Sequence, residues 1–353
     1  MAKYSKQKNG YYRTKVLLGY GPDGKPKCKY LNARSIRELD DLVMKTKQEQ
    51  AQGLLLARNV TFGDYASKWL AVYKANRGVA TRAMYESVLK NHVDLLARVP
   101  LKDVTRLMIQ GQINARADRP RTCEMILLTV KQIFKSAIRD GIVLRSPCVD
   151  IDLPRHVKNE KRPLTEEEKK ALRSAVLLPQ ERLLLLLLYG TGCRPAEAYA
   201  LTKSDFDFRA GTVFINKAVQ FSGNIPVSVS YPKTDSSIRH VVVSDAVMRA
   251  LKHLVDKMPH DNVLGGNTGE IMHKCQYGTI FKHILQKSGL KGSGITQYTF
   301  RHNFCTECKY NGLSLKETQH QMGHKDYKMI LQVYEHIDSL KENTREKMAN
   351  MVM

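Results

Sequence analysis

Six consecutive leucines, Leu183 to Leu188, run into Tyr189-Gly190-Thr191-Gly192-Cys193-Arg194-Pro195-Ala196-Glu197. A stretch that is apolar at every position has no face to give to water, so it is expected as a helix buried on most sides. It falls far short of the ~20 residues needed to span a bilayer. After the glycines the chain re-enters a helix at Arg194-Pro195, because proline suits the first helical turn. An arginine at a helix start sits where unpaired backbone N–H groups also favour an anion. Its guanidinium can grip two phosphate oxygens at once. Glu197, one turn on, can orient Arg194; a purely structural Arg–Glu pair accounts for this stretch equally well.

The charge balance points to the partner. Lys and Arg number 57 against 34 Asp and Glu, a formal net charge of +23. Such an excess concentrates a polyanion at the surface, which makes nucleic acid the expected ligand. A basic membrane-surface protein would want an amphipathic anchor or a lipidation signal, and neither is visible. The first ten residues are polar and basic and do not read as a secretory signal. The 7 cysteines are scattered and odd in number, so a reducing compartment is expected rather than a disulfide framework.

A chain of 353 residues is too long for one ordinary core. The pattern predicts a mainly α protein with small β elements (α+β) in three domains, residues 1–56, 57–155 and 156–353. In the first, Tyr11–Leu18 and Lys27–Leu31 have strand composition around the turn signal Gly21-Pro22-Asp23-Gly24. Ser35 with Glu38 fits a capping box, and Gly53 fits a helix stop. A basic β-ribbon on a helix over 35–52 has the width to enter a major groove; a solubilising extension is the bland alternative. In the second, Thr61 caps a helix with apolar face Phe62, Tyr65, Trp69 and Val72, and helical patterns follow over 79–97, 103–116 and 121–140. Pro154–Pro163 reads as an exposed basic linker. In the third, Thr165 with Glu168 opens a helix. Thr212–Asn216 and Arg239–Val243 are strand-like runs that can pair around a turn carrying Lys233. Helices are expected over 245–257, 276–288, 299–311, 314–322, 327–335 and 338–350.

Four further positions carry chemistry. Lys233, on a β-turn, can reach a leaving oxygen and act as a general acid, although most hairpin lysines are merely solvated. Arg301 opens a helix with Phe300 and Phe304 on its apolar face. His324 follows Gly323 at the end of the next helix, and Tyr334 lies ten residues further. A phenol has a pKa of about 10; two arginines around one phosphate lower the cost of the phenolate and of the pentacoordinate transition state. Alone, Tyr334 reads as a core aromatic beside Ile330 and Ile337.

Taken together, Thr-Gly-Cys-Arg-Pro-Ala-Glu, Lys233, Tyr298-Thr299-Phe300-Arg301-His302, Met322-Gly323-His324 and Val333-Tyr334-Glu335-His336 resemble, in order and spacing, the tyrosine recombinase (phage integrase) family over about 160–340. Residues 59–154 look like its helical core-binding domain, and 1–55 like the arm-binding domain of integrases from phages and conjugative transposons. The resemblance implies a site-specific recombinase in which Tyr334 attacks a DNA phosphate, forms a 3′-phosphotyrosyl bond and frees a 5′-hydroxyl. Lys233 then protonates the leaving oxygen, and Arg194, Arg301 and His324 hold the non-bridging oxygens. It implies no ATP, no metal and no other cofactor. It further implies a homotetramer on two duplexes, an accessory directionality factor, and a cytoplasmic, nucleoid-associated location in a bacterial host.

Two departures stand out. Tyr298 occupies the place of the family's usual histidine; a phenol still donates a hydrogen bond but is a poorer proton shuttle near neutral pH. The interval from His324 to Tyr334 is one residue longer than the commonest, which leaves Tyr327 as an alternative nucleophile. Rival readings are a DNA-binding protein of the same fold that has lost catalysis, a type IB topoisomerase, and a zinc-binding protein using Cys305, Cys308, His320 and His324, whose spacing lies near that of a zinc finger.

Overall fold

The computed structural model describes residues 4–7, 10–20, 26–51, 60–156, 162–231, 237–323, 327 and 330–331. The chain divides into two compact units, Met1–Lys158 and Asn159–Met353.

The first unit begins with an antiparallel sheet ordered β1 (Ser5–Lys6), β2 (Tyr12–Tyr20), β3 (Pro26–Ala33). Strand alternation sends Val16, Leu31 and Ala33 inward against Leu39 of α1 (Ile36–Ala51). On the ribbon the Arg13 guanidinium lies 4.4 Å from the centre of the exposed Tyr30 ring. Ser35 Oγ accepts the Glu38 N–H at 3.1 Å. The Glu38 carboxylate closes on the N–H of Arg34, one residue earlier than a capping box requires. The expected turn at 21–24 and stop at Gly53 lie outside the described residues.

A helical bundle follows: α2 (Phe62–Tyr73), α3 (Val79–Asn91), α4 (Asp94–Ala97), α5 (Arg106–Asn114) and α6 (Pro120–Arg139). Thr61 accepts from the Asp64 N–H and caps α2, as its sequence predicts. Phe62, Tyr65 and Trp69 are buried, with Trp69 edge-on to Tyr85 at 5.2 Å. Val72 is 68% exposed and does not belong to this face. Helical rotation puts it at the edge of the apolar stripe, and the chain's hold there is polar: Tyr65 and Tyr73 donate to the two oxygens of Asp140 at 2.6 and 2.5 Å. The single helix expected over 79–97 is broken at His92 and Val93, whose non-helical backbone buries Val93 and Leu96. Just before the stretch read as an exposed basic linker, Gln110 exchanges hydrogen bonds with the Asp152 backbone at 2.9 and 3.0 Å; within it Arg155 is exposed and His156 Nδ1 lies 3.0 Å from Glu124. In the second unit Arg162 forks onto Glu168 at 2.6 and 2.7 Å.

That unit is built on the leucine run. α8 (Pro179–Thr191) has Leu183, Leu184, Leu187 and Leu188 wholly buried, with α10 (Asp245–Lys257), α11 (Lys274–Lys287) and α12 (Gln297–Tyr310) packed on it. The capping box of Thr165 and Glu168 opens α7 (Glu166–Ser174) through bonds of 3.2 and 2.9 Å. α9 (Pro195–Ala198) is one turn, and α13 (Leu315–Met322) closes the described helices. Of the two helices expected after it, residues 327, 330 and 331 are described; 330–331 are helical and Tyr327 is not.

The strands depart from expectation. β5 (Thr212–Ile215) does pair antiparallel with β8 (Arg239–Val242), beside β4 (Phe206–Asp207). They are not joined by one turn, because a separate ribbon, β6 (Ala218–Ser222) with β7 (Ile225–Ser230), intervenes. Its tip is braced by Asn224, which accepts the N–H groups of Lys274 and Cys275 at 2.9 and 2.7 Å and so satisfies the start of α11. No helix among the described residues is long and apolar enough to cross a membrane.

Trp69 is the only tryptophan, so its fluorescence reports the bundle core. Phe62→Ala should cost about 3–5 kcal/mol in urea unfolding followed this way. Val72→Ala should stay within about 0.5 kcal/mol. Equal losses would contradict this packing.

Candidate active site

Arg194 occupies the N-cap of α9, with Pro195 at the first helical position. Its backbone N–H donates to Glu197 Oε2 at 2.8 Å and its Nη1 to Glu197 Oε1 at 2.7 Å. The short spacing Arg-Pro-Ala-Glu therefore turns the carboxylate back onto the arginine that precedes it. Glu197 is buried, while the Arg194 side chain keeps 36% of its surface.

A second arginine, which sequence reasoning passed over as part of a strand, completes this pair. Arg239 at the start of β8 is wholly buried and donates from Nη2 to Glu197 Oε2 at 3.0 Å and from Nη1 to Oε1 at 3.4 Å. Its Nε reaches the Gln321 carbonyl at 2.9 Å and its Nη1 the Ser237 carbonyl at 3.1 Å. A signal existed: Arg239 shares the inward face of β8 with Val241, in step with the buried Val243 just beyond it, and a charge on an inward face demands a partner.

Arg301 lies one turn inside α12, not at its opening residue, and is also buried. Its Nη1 donates to the Gly192 carbonyl at 2.8 Å and its Nη2 to the Met322 carbonyl. Both carbonyls belong to helix ends. α8 stops at Gly192 and α13 at Gly323, each in left-handed geometry with φ of 58° and 61°. The C-terminal ends of two helix dipoles thus face one guanidinium. Side chains would not fit: a Cβ on Gly192 would meet Phe304 at 2.4 Å, and one on Gly323 would meet Arg239 Nη1 at 2.8 Å.

The electrostatics follow from one carboxylate among three guanidiniums. Burial pushes the Glu197 carboxyl up, but Arg239 and then Arg194 outweigh it and hold it below the usual carboxylate range. Burial, reinforced by Arg194, pushes the Arg301 guanidinium down to about 10, so it stays charged at neutral pH. Three cations and one anion leave 3 − 1 = +2 on the cluster, an excess of charge that attracts anions.

Of the other residues predicted for this chemistry, Tyr298 and Tyr327 are described. Tyr298 stands one turn before Arg301 on the same helix and is 54% exposed. Tyr327 is also exposed, and its carbonyl accepts from Leu331. Lys233, His324 and Tyr334 lie outside the described residues. The zinc reading finds no support in the side chains that are described. Cys305 and Cys308 are buried in α12, and burial pushes their thiols up to about 11 and about 12. His320 is exposed on α13, and among the described residues no three His, Cys, Asp or Glu side chains converge.

The Phage integrase family model matches residues 162–341, which contain the whole cluster. The chain belongs to the phage integrase family. It is an enzyme of the tyrosine-type site-specific recombinases, a class that acts on DNA. The family's N-terminal SAM-like domain matches residues 61–115, within the helical bundle. A tyrosine recombinase XerC-like protein of Caldanaerobacter subterraneus is 23% identical, covering 95% of this chain and 94% of its own. The ICEBs1 integrase of Bacillus subtilis is 24% identical over 98% and 97%. Among solved structures, the Tn1549 transposon integrase in complex with transposon right end DNA superposes with a TM-score of 0.69 at 21% identity, covering 83% of this chain and 99% of that one. A lambda integrase tetramer bound to a Holliday junction gives 0.60 at 20% identity, with 93% of each chain covered. The fold is shared with both.

The depressed Glu197 carboxyl has a measurable consequence. Between its folded pKa and its ordinary value of 4.5 the unfolded chain binds more protons, so this contribution is present above 4.5 and is lost as pH falls through the folded value. Glu197→Gln, which leaves Arg239 buried without its anion, should cost about 3–5 kcal/mol near neutral pH. The gap from wild type should begin to narrow as pH falls below 4.5, where the unfolded chain takes up the proton, and close only below the lower folded pKa, where Glu197 is protonated in the folded protein as well. A gap independent of pH in denaturant titrations would contradict this.

Proposed function

We propose that the chain cleaves and rejoins DNA at defined sites through a 3′-phosphotyrosyl intermediate at Tyr334, as the integrase of a mobile element. The observation that carries the reading is the cluster of Arg194, Arg301 and Arg239 around the single carboxylate of Glu197. A phosphodiester carries one negative charge and its pentacoordinate transition state two, and fixed cations stabilise the latter more. Arg194, the more exposed arginine, holds the non-bridging oxygens together with Arg301 and His324. Lys233 protonates the 5′ leaving oxygen as Tyr334 attacks, and the reverse attack by another strand's 5′-hydroxyl rejoins the backbone. Tyr298, exposed and one turn from Arg301, stands where it can donate a hydrogen bond to the same phosphate. Glu197 orients Arg194. The bond energy is held in the phosphotyrosine, so the cycle requires neither ATP nor a metal.

In this reading residues 1–56 bind arm-type DNA through the β-ribbon, 57–155 bind the core site, and 156–353 carry catalysis. The net charge of +23 supports a double-stranded DNA partner. A homotetramer on two duplexes and an accessory directionality factor complete the proposal. The ICEBs1 integrase, the Tn1549 transposon integrase and the lambda integrase tetramer on a Holliday junction support it by likeness.

A suicide duplex nicked beside the target phosphate tests the chemistry. Tyr334→Phe should lose all covalent trapping while still shifting the DNA in a binding gel. Arg194→Ala and Arg301→Ala should each slow trapping by about 10²-fold or more. Undiminished trapping in Tyr334→Phe would move the nucleophile to another residue, Tyr327 first.

A further inference from the structure

Arg239 is wholly buried, so it is removed from any DNA; whatever it contributes passes through its neighbours. Those neighbours are few and telling. Glu197 receives it on both carboxylate oxygens, and the last turn of α13 receives it at Gln321. The bare Cα of Gly323 makes room for its side chain. One residue on a strand thereby joins the turn that carries Arg194 to the helix end whose next carbonyl, Met322, holds Arg301.

We propose that Arg239 is a positioning residue that sets the charge of the site: it shares Glu197 with Arg194 and so leaves Arg194 free to engage a phosphate. Without it, Glu197 would be matched by Arg194 alone, and the net charge of the cluster would drop from +2 to +1. The balance is simple: Glu197 is bonded by both Arg194 and Arg239, and Arg239, wholly buried, supplies the second cation that offsets the carboxylate and leaves the half-exposed Arg194 with surplus positive charge. Its two further bonds, to the carbonyls of Gln321 and Ser237, hold it in that place in the absence of substrate. This inference rests on the phosphoryl-transfer reading above.

Substrate charge separates this role from a merely structural one. A methylphosphonate replaces one non-bridging oxygen with a methyl group, so the linkage is neutral before attack and carries one negative charge fewer in the transition state. The full chain would be tested on nicked suicide duplexes at the site where wild type forms its covalent complex, with either a phosphate or a methylphosphonate at the scissile position. Arg239→Gln should slow complex formation on phosphate about tenfold or more, and by clearly less on methylphosphonate. Arg239→Lys, which retains the charge, should fall between wild type and Arg239→Gln on phosphate. Glu197→Gln with Arg239→Gln removes one charge of each sign, restores +2, and should recover phosphate cleavage relative to Arg239→Gln alone. Equal slowing on both substrates, or no slowing on phosphate, overturns the proposal. Should Arg239→Gln alone fail to fold, the double variant decides: selective loss on phosphate relative to wild type would then contradict the charge assignment, and retained preference would support it. Arg194→Ala run in parallel keeps the two ideas apart, since unimpaired phosphate cleavage there would sink the phosphoryl-transfer site itself.

Discussion

The second unit depends on a buried carboxylate shared by two arginines. Glu197 lies within one turn of Arg194 in sequence and receives Arg239 from a strand 42 residues away. A carboxylate taken out of water is costly unless it is paired and hydrogen-bonded. Here its oxygens accept a backbone N–H and both guanidiniums. The pairing leaves the third guanidinium, Arg301, held by carbonyls and without a direct carboxylate contact among the described residues. The cluster is therefore stable as a structure yet short of negative charge.

Everything that places Arg301 is a helix end. The leucine helix is buried because it cannot be otherwise, and it fixes where Gly192 emerges. The end of α13 supplies the opposing carbonyl, and the same helix end takes Arg239. Left-handed glycine at both stops lets each chain turn away while its last carbonyls stay aimed at the cations. A substitution at either glycine would act on the site through backbone strain and through Phe304 or Arg239.

Much of this was legible in the chain because the signals are local. The leucine run, the proline after Arg194, the glutamate one turn on and the capping residues Thr61 and Thr165 each act within a few positions, and each lies where its chemistry predicts. What escaped notice is non-local or marginal. Arg239 gains its meaning from a partner on another element. β7 alternates Ile225, Val227 and Val229 with Pro226, Ser228 and Ser230, but its apolar side is the exposed one, so the alternation marks no core face. The break at His92–Val93 carries no proline or glycine, and burial of Val93 and Leu96 decides it. Val72 sits at the margin of its helix face, where periodicity alone is ambiguous. In the zinc reading a spacing was present, but among the described residues Cys305 and Cys308 are buried within α12 while His320 is exposed on α13, and spacing does not encode that placement.

The central claim is that the phosphate held by this cluster passes to the phenol of Tyr334. Mass spectrometry of the covalent complex with a suicide oligonucleotide, digested with trypsin, tests it most directly, because Lys328 separates the two competing tyrosines. The account predicts the nucleotide adduct on the peptide spanning residues 329–341, at Tyr334. An adduct on the peptide containing Tyr327, or on any other residue, would contradict it.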